Sequence, residues 1–192
     1  MSQIFEWTMH GYPKIAGCEG VYGPREDSFL LADAVGEYGL GRMLDLGSGT
    51  GIVGITAALK GCEVTFADIS GEAIECSKKN ASANNVAGSF VISDMFSKVG
   101  GKFNTIAFNP PYLPSRGREN VLEDRALDGG AGGRELIDRF LCGFRKHILG
   151  DHAVLLLESS LNGYKDDADL FEAEIVARKR MFFEELVVLL IR

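Results

Sequence analysis

Asn109-Pro110-Pro111-Tyr112 closes a short apolar run, Ile106 to Phe108. Two successive prolines remove two backbone donors and fix the chain direction, so the strand ends in a rigid polar tip. Asp45, Asp68 and Asp94 close comparable runs in "RMLDLG", "CEVTFADI" and "SFVISD". A carboxylate placed like Asp68 can accept hydrogen bonds from both hydroxyls of a ribose. Asp94 can accept from an exocyclic adenine amine, and Met95 can pack on the purine and offer its amide. Singly, each is an ordinary turn or cap residue. Four polar ends on one sheet edge make an adenosine pocket.

"LDLGSGTGIVG" adds Gly47, Gly49 and Gly51 between a strand and a helix. Glycines let the backbone take positive φ and approach a ligand without an intervening side chain. A G-x-G-x-x-G fingerprint read from Gly47 would need glycine at position 52, which is Ile52. A phosphate loop would need Gly-Lys-Ser/Thr, and none is present. The pattern suits a ligand without phosphate.

The elements that hold these residues alternate. "RMLDLG", "CEVTFADI", "SFVISD", "NTIAFN" and "HAVLLLES" read as strands, and "IVGITAALKG" as a helix stopped by Gly61. "GEAIECSKKNASA" reads as a helix capped by Ser70, and "PREDSFLLADAV" as one entered through Pro24. "GRELIDRFLCGFRKHI" has a helical apolar face, and the tail reads as two strands around a turn near Phe183 and Glu184. The expected fold class is α/β: a doubly wound, mostly parallel seven-stranded sheet with a carboxyl-terminal antiparallel strand pair, in a single domain over residues 1–192. Ligands of such a sheet gather beyond the carboxyl ends of the strands.

Twenty Lys+Arg against 27 Asp+Glu give a net charge of −7, which offers no general attraction to nucleic acid or anionic membrane. The amino terminus carries neither a basic cap nor a continuous apolar stretch, so no secretory signal is expected. The longest apolar runs fall short of the ~20 residues that span a bilayer. Cys18, Cys62, Cys76 and Cys142 show no CxxC or metal-type spacing, and Cys62 and Cys142 read as small core residues. A cytoplasmic, reducing location and no metal are expected.

The cofactor loop "DLGSGTG", with Asp68 and Asp94 beyond it, resembles that of the class I methyltransferases that use S-adenosylmethionine. Asn109-Pro110-Pro111-Tyr112 is similar to the tetrapeptide of enzymes that methylate planar amide or amine nitrogens. "VYGPREDSFLLADAV" and "LDGGAGGRELIDRFL" resemble the entry helix and the Gly-Gly-x-x-Gly-Arg stretch of the HemK-like family, which methylates glutamine in peptide-chain release factors. The likeness is to its short archaeal and eukaryotic branch and runs from about Val21 to the carboxyl end. It implies a Rossmann-like methyltransferase fold and S-adenosylmethionine as cofactor, with S-adenosylhomocysteine as product. It implies Ser28, Asp45, Gly47, Gly49, Gly51, Asp68, Asp94, Met95 and Asn109 as cofactor-binding residues. It implies a release factor as substrate and a small zinc-containing activator subunit docked near Phe90, Val91 and Ile92.

On this resemblance the tetrapeptide is a clamp. The Asn109 side-chain oxygen accepts one hydrogen of the target nitrogen and the Pro110 carbonyl accepts the other. Pro111 helps to hold that carbonyl, and the Tyr112 ring stacks on the flat amide. Residues 1–30 are expected to supply a lid and an entry helix, and 113–133 a substrate-binding loop. The alternatives are an adenine-amine methyltransferase of DNA or RNA, a lysine methyltransferase, and a non-catalytic cofactor-binding module. Arg116, Arg118 and Arg125 interleaved with Glu119, Glu123 and Asp124 make a poor grip for phosphates, which disfavours the first.

Overall fold

The computed structural model describes residues 6–7, 11–112, 130 and 133–192. A small antiparallel ladder of β1 (Glu6–Trp7) and β2 (Ile15–Ala16) precedes helix α1 (Glu26–Tyr38). Then come β3 (Arg42–Leu46), α2 (Ile52–Leu59), β4 (Glu63–Asp68), α3 (Gly71–Ala83), β5 (Ser89–Ile92) and β6 (Phe103–Phe108). The chain continues through α4 (Glu135–Gly143), a 3-10 turn (Phe144–His147), β7 (Ile148–Ser159), α5 (Tyr164–Phe171), β8 (Glu174–Arg180) and β9 (Glu185–Ile191).

β3 to β9 form one seven-stranded sheet in the order β5-β4-β3-β6-β7-β9-β8. β3 to β7 run parallel, while β9 is antiparallel to both β7 and β8. The expected α/β sheet with a terminal antiparallel pair is therefore the observed one. Its central strands are near-continuous apolar runs because helices cover both faces. Leu44, Ile106, Val154 and Val188, on four neighbouring strands, are all fully buried. Chain order reverses between β3 and β6, and this is where an open sheet leaves a crevice beyond its strand ends.

Local signals account for the helix ends. The Ser70 hydroxyl accepts the Ala73 amide at 3.2 Å and caps α3, an interaction worth about 1 kcal/mol. Gly61, with φ of +101°, lies just past α2 and makes a turn disfavoured for residues with a Cβ. The helix expected over 133–148 divides instead: α4 ends at Gly143 and a 3-10 turn follows, burying Phe144 against Phe140 and Phe171. Helix α5 has no counterpart in the sequence reading, since "YKDDADLF" is short and mostly charged.

The cysteines need correction. Cys18 and Cys76 form a disulfide that ties the segment after β2 to α3, a pairing that their spacing did not signal. Cys142 is exposed rather than a core residue, and Cys62 is only partly buried. Among the described residues no helix is long and apolar enough to cross a membrane.

Candidate active site

The loop after β3 is built by its glycines. Gly47, Gly49 and Gly51 have φ of +67°, +51° and +85°. The Gly51 amide donates to the Ser48 carbonyl at 2.7 Å, and the Ser48 amide to the Ala67 carbonyl at 3.0 Å, which folds the loop over the end of β4. A Cβ on Gly49 would meet nothing within 4 Å, so its backbone faces open space. A Cβ on Gly51 would lie 3.0 Å from Ser77 Cβ. Gly51 is therefore required by the packing of α2 on α3. It is not among the residues that line the crevice, unlike Gly47 and Gly49.

A crevice of about 1070 Å3 lies beyond the strand ends. Of the site residues read from the sequence, it brings together Ser28, Asp45, Gly47, Gly49, Asp68, Asp94, Met95, Asn109, Pro110 and Pro111. Asp68 accepts the Gly49 amide on one oxygen at 3.0 Å and the Ser70 amide on the other at 2.9 Å. Burial pushes its carboxyl up, opposed by these hydrogen bonds. Met95 has φ of +47° and is held there because the buried Ser93 hydroxyl donates to its carbonyl at 2.8 Å.

Asp45 is 3% exposed and accepts the Gly54 amide at 2.9 Å. Burial pushes its carboxyl up to about 8, with Asp68 adding to the rise and the Gly54 amide opposing it. Unfolded, the same group titrates near its ordinary value of about 3.9. Between those values the native state holds a proton that the unfolded chain has lost. The stability contribution is thus full below about pH 4 and declines as pH rises through about 8, by up to about 1.4 kcal/mol per pH unit. Asp45→Asn keeps the Gly54 hydrogen bond and removes the titration. Urea unfolding at pH 5, 7 and 9 is expected to show a shallower fall for the variant than for the native chain, and parallel curves would refute the assignment.

Asn109 carries the most specific geometry. Its Nδ2 donates to Asp27 Oδ2 at 3.2 Å. A carboxylate can only accept, so Asp27 selects the amide orientation and leaves Asn109 Oδ1 as the free acceptor. That oxygen is buried and has no hydrogen-bond partner among the described residues, as is also true of Ser48 Oγ. The other Asp27 oxygen accepts the Ser28 amide at 2.7 Å and the Ser28 hydroxyl at 3.2 Å. Asp27 was not foreseen, because an acidic residue in a first helical turn already has a reason in the helix dipole.

Tyr112 is set back from the crevice. It is 6% exposed, belongs to the hydrophobic core and is not among the described residues that line the crevice. Burial and then the Asp27 charge push its phenol up. Asn162 Nδ2 donates to the Tyr112 carbonyl at 2.8 Å and to the Gly133 carbonyl at 3.0 Å, bracing the tip from behind. Arg134 donates to Asn162 O and grips both oxygens of Asp167 at 2.8 and 3.0 Å. Arg134 thereby gives the Gly-Arg element a structural task.

Arg139 also escaped the sequence reading. It projects from α4, lines the crevice and donates to Asp94 at 2.8 Å, so one oxygen of Asp94 is engaged by a guanidinium. Its only signal was a place on the polar face of that helix. Of the segment expected to supply a lid, Glu19 to Tyr22 stand on the crevice wall, while residues 1–5 and 8–10 lie outside the described part. The expected substrate loop, 113–133, lies outside it too, apart from Gly130 and Gly133.

The family model for the methyltransferase small domain matches residues 20–129. Methanocaldococcus jannaschii has a "Putative protein N5-glutamine methyltransferase MJ0928" that is 40% identical over 177 residues, 88% of this chain and 90% of that protein. The release factor glutamine methyltransferase of Deinococcus radiodurans is 40% identical over 79 residues, which are 40% of this chain and 28% of its own length. Among solved structures, the Thermus thermophilus 16S rRNA N2 G1207 methyltransferase in complex with AdoMet and guanosine superposes with a TM-score of 0.67 at 18% identity. It covers 99% of this chain and 50% of that one, a likeness of fold. With more than half its length in the family model and a relative 40% identical over about nine-tenths of both chains, the chain belongs to the methyltransferase small domain family.

Proposed function

We propose that the chain transfers the methyl group of S-adenosylmethionine to the side-chain amide nitrogen of a glutamine, in the Gly-Gly-Gln segment of a translation release factor. The names of its relatives carry glutamine as the acceptor. The observation that carries the proposal is the Asn109 amide, turned by Asp27 so that its oxygen is left without a donor.

The crevice residues fit an adenosyl donor. After accepting two backbone amides, each Asp68 oxygen keeps a lone pair, which suits the two hydroxyls of a ribose. The open Gly49 backbone allows close approach, and Ser48 Oγ is a buried polar atom awaiting a partner. The guanidinium at the crevice, Arg139, is committed to Asp94, consistent with a ligand lacking phosphate. When bound, the donor supplies a methyl group activated by its sulfonium charge and leaves as S-adenosylhomocysteine.

The chain's own residues then orient the acceptor. A glutamine nitrogen carries two hydrogens and a lone pair delocalised into its carbonyl. Asn109 Oδ1 accepts one hydrogen and the Pro110 carbonyl the other, aiming the nitrogen at the methyl carbon. Both acceptors stabilise positive charge growing on nitrogen as the new C–N bond forms. The amide releases one proton to solvent afterwards. Pro111 and the buried Tyr112 hold the Pro110 carbonyl in place. A release factor as substrate implies a cytoplasmic site of action. A small zinc-containing activator would find room at the β5 edge, where Ile92 is 51% exposed.

Labelled S-adenosylmethionine offered with a release factor, its Gln→Ala copy, a DNA duplex and a histone peptide tests this reading. Mass spectrometry is expected to place the methyl group on the glutamine of the native release factor alone. Label in the DNA or in the Gln→Ala copy would overturn it.

A further inference from the structure

The turn between β8 and β9 holds Met181, Phe182, Phe183 and Glu184, closed by the Met181 amide donating to the Glu184 carbonyl at 2.8 Å. Phe182 and Phe183 are 91% and 87% exposed, with ring centroids 4.7 Å apart in an edge-to-face pair. Neither residue supplies the backbone freedom that a tight turn needs, and neither adds to the core. Two adjacent exposed aromatic rings mark a contact surface.

The turn is anchored. The Ser159 hydroxyl at the end of β7 donates to the Glu184 carboxylate, and the Glu185 amide donates to Ser160 Oγ at 3.0 Å. It also stands beside the reactive edge. Leu186 pairs with Ser159, and Leu156 of the same strand pairs with Phe108, the residue before Asn109. At about 3.3 Å per residue and 4.8 Å per strand, the phenylalanines lie roughly 20 Å from Asn109. They rise beyond the clamp on the same edge of the sheet. The flanking guanidiniums of Arg178 and Arg180 are paired with Glu185 at 3.1 and 3.6 Å, so the turn favours an apolar protein surface over a phosphate backbone.

Resting on the function proposed above, we infer that Phe182 and Phe183 dock the glutamine-bearing protein itself. They hold an apolar patch of its folded surface roughly 20 Å from the reacting nitrogen. An extended chain needs about six residues to cover that distance. The contact therefore distinguishes a whole release factor from a short peptide carrying the same glutamine.

The test compares the native chain with the Phe182→Ser/Phe183→Ser variant, whose changes lie outside the core. Binding is measured to a release factor whose glutamine is alanine. Kinetics are measured with the intact release factor and with a peptide extending about two residues on each side of the glutamine. In the variant, Kd and KM for the whole protein are expected to rise roughly 10- to 100-fold. The kcat and the peptide KM stay within about twofold. Unchanged Kd and KM would overturn the inference, as would an equal loss on protein and peptide. Loss of a native dimer with unaltered kinetics would assign the aromatic pair to a second copy of this chain instead. Should the native chain methylate neither substrate, the proposed reaction fails, and this inference with it.

Discussion

Replacing Asp27 with alanine is expected to lower kcat for glutamine methylation about 100-fold, and Asn109→Ala about 1000-fold, the range seen when one preorganised polar contact to a transition state is lost. The two effects share a cause. Asn109 Oδ1 can accept from a substrate only while Nδ2 is turned toward a fixed acceptor, and Asp27 is that acceptor at 3.2 Å. Without it the side-chain amide can rotate and present either its oxygen or its NH2, so most molecules offer the acceptor wrongly or not at all. If Asp27 acts through Asn109, the double variant is no slower than Asn109→Ala alone. Multiplicative losses near 10⁵-fold would instead mean independent roles and would sink the positioning argument. A loss seen in KM with kcat intact would do the same, because the clamp acts on the transition state. Asp27 also holds the Ser28 amide and hydroxyl, so its variant is expected to bind the adenosyl cofactor a few-fold more weakly.

What was legible in the sequence follows from which features are local. A parallel strand covered on both faces is a continuous apolar run, and the first polar residue after it marks the sheet edge. Asp68 and Asn109 stand where that rule puts them, Asp94 lies two residues past the half-buried β5, and the crevice lies among them. The Ser70 cap and the stop at Gly61 are decided within a few residues and were readable for the same reason. Roles that depend on a distant partner were not. Asp27 reaches Asn109 across 82 positions, Arg139 reaches Asp94 across 45, and Asn162 reaches Tyr112 across 50. Nothing in the local pattern of any of these pairs points to the other. Gly51 and Tyr112 show the same limit: a motif states that a residue type is required, while packing against Ser77 and the core gives these two a structural reason as well.

The Cys18–Cys76 disulfide belongs to that non-local group, and its removal is the largest stability change expected outside the core. The bridge spans a sequence separation of 58 residues. In the chain-entropy treatment a closed loop of that size restrains the unfolded state by about 4 kcal/mol, with 2–4 kcal/mol the usual outcome. The native contacts around it do not depend on the bond. The Ala16 amide donates to Asn80 Oδ1 at 3.0 Å, and Asn80 Nδ2 donates back to the Ala16 carbonyl at 3.1 Å. Asn84 forms the same reciprocal pair with Lys14 at 3.0 and 2.8 Å. Strand β2 is therefore expected to stay on α3 when the bond is cut, with the effect residing in the unfolded chain. Cys18→Ser/Cys76→Ser is expected to lose about 2–4 kcal/mol in urea unfolding with a larger m-value, since the unlinked chain exposes more surface. Reductant should bring the native protein to the variant's curve and leave the variant unmoved. Cofactor affinity should hold within about twofold, although Glu19 to Tyr22 on the crevice wall directly follow Cys18. A large loss of affinity would place the bond's contribution in the native crevice rather than in the unfolded ensemble.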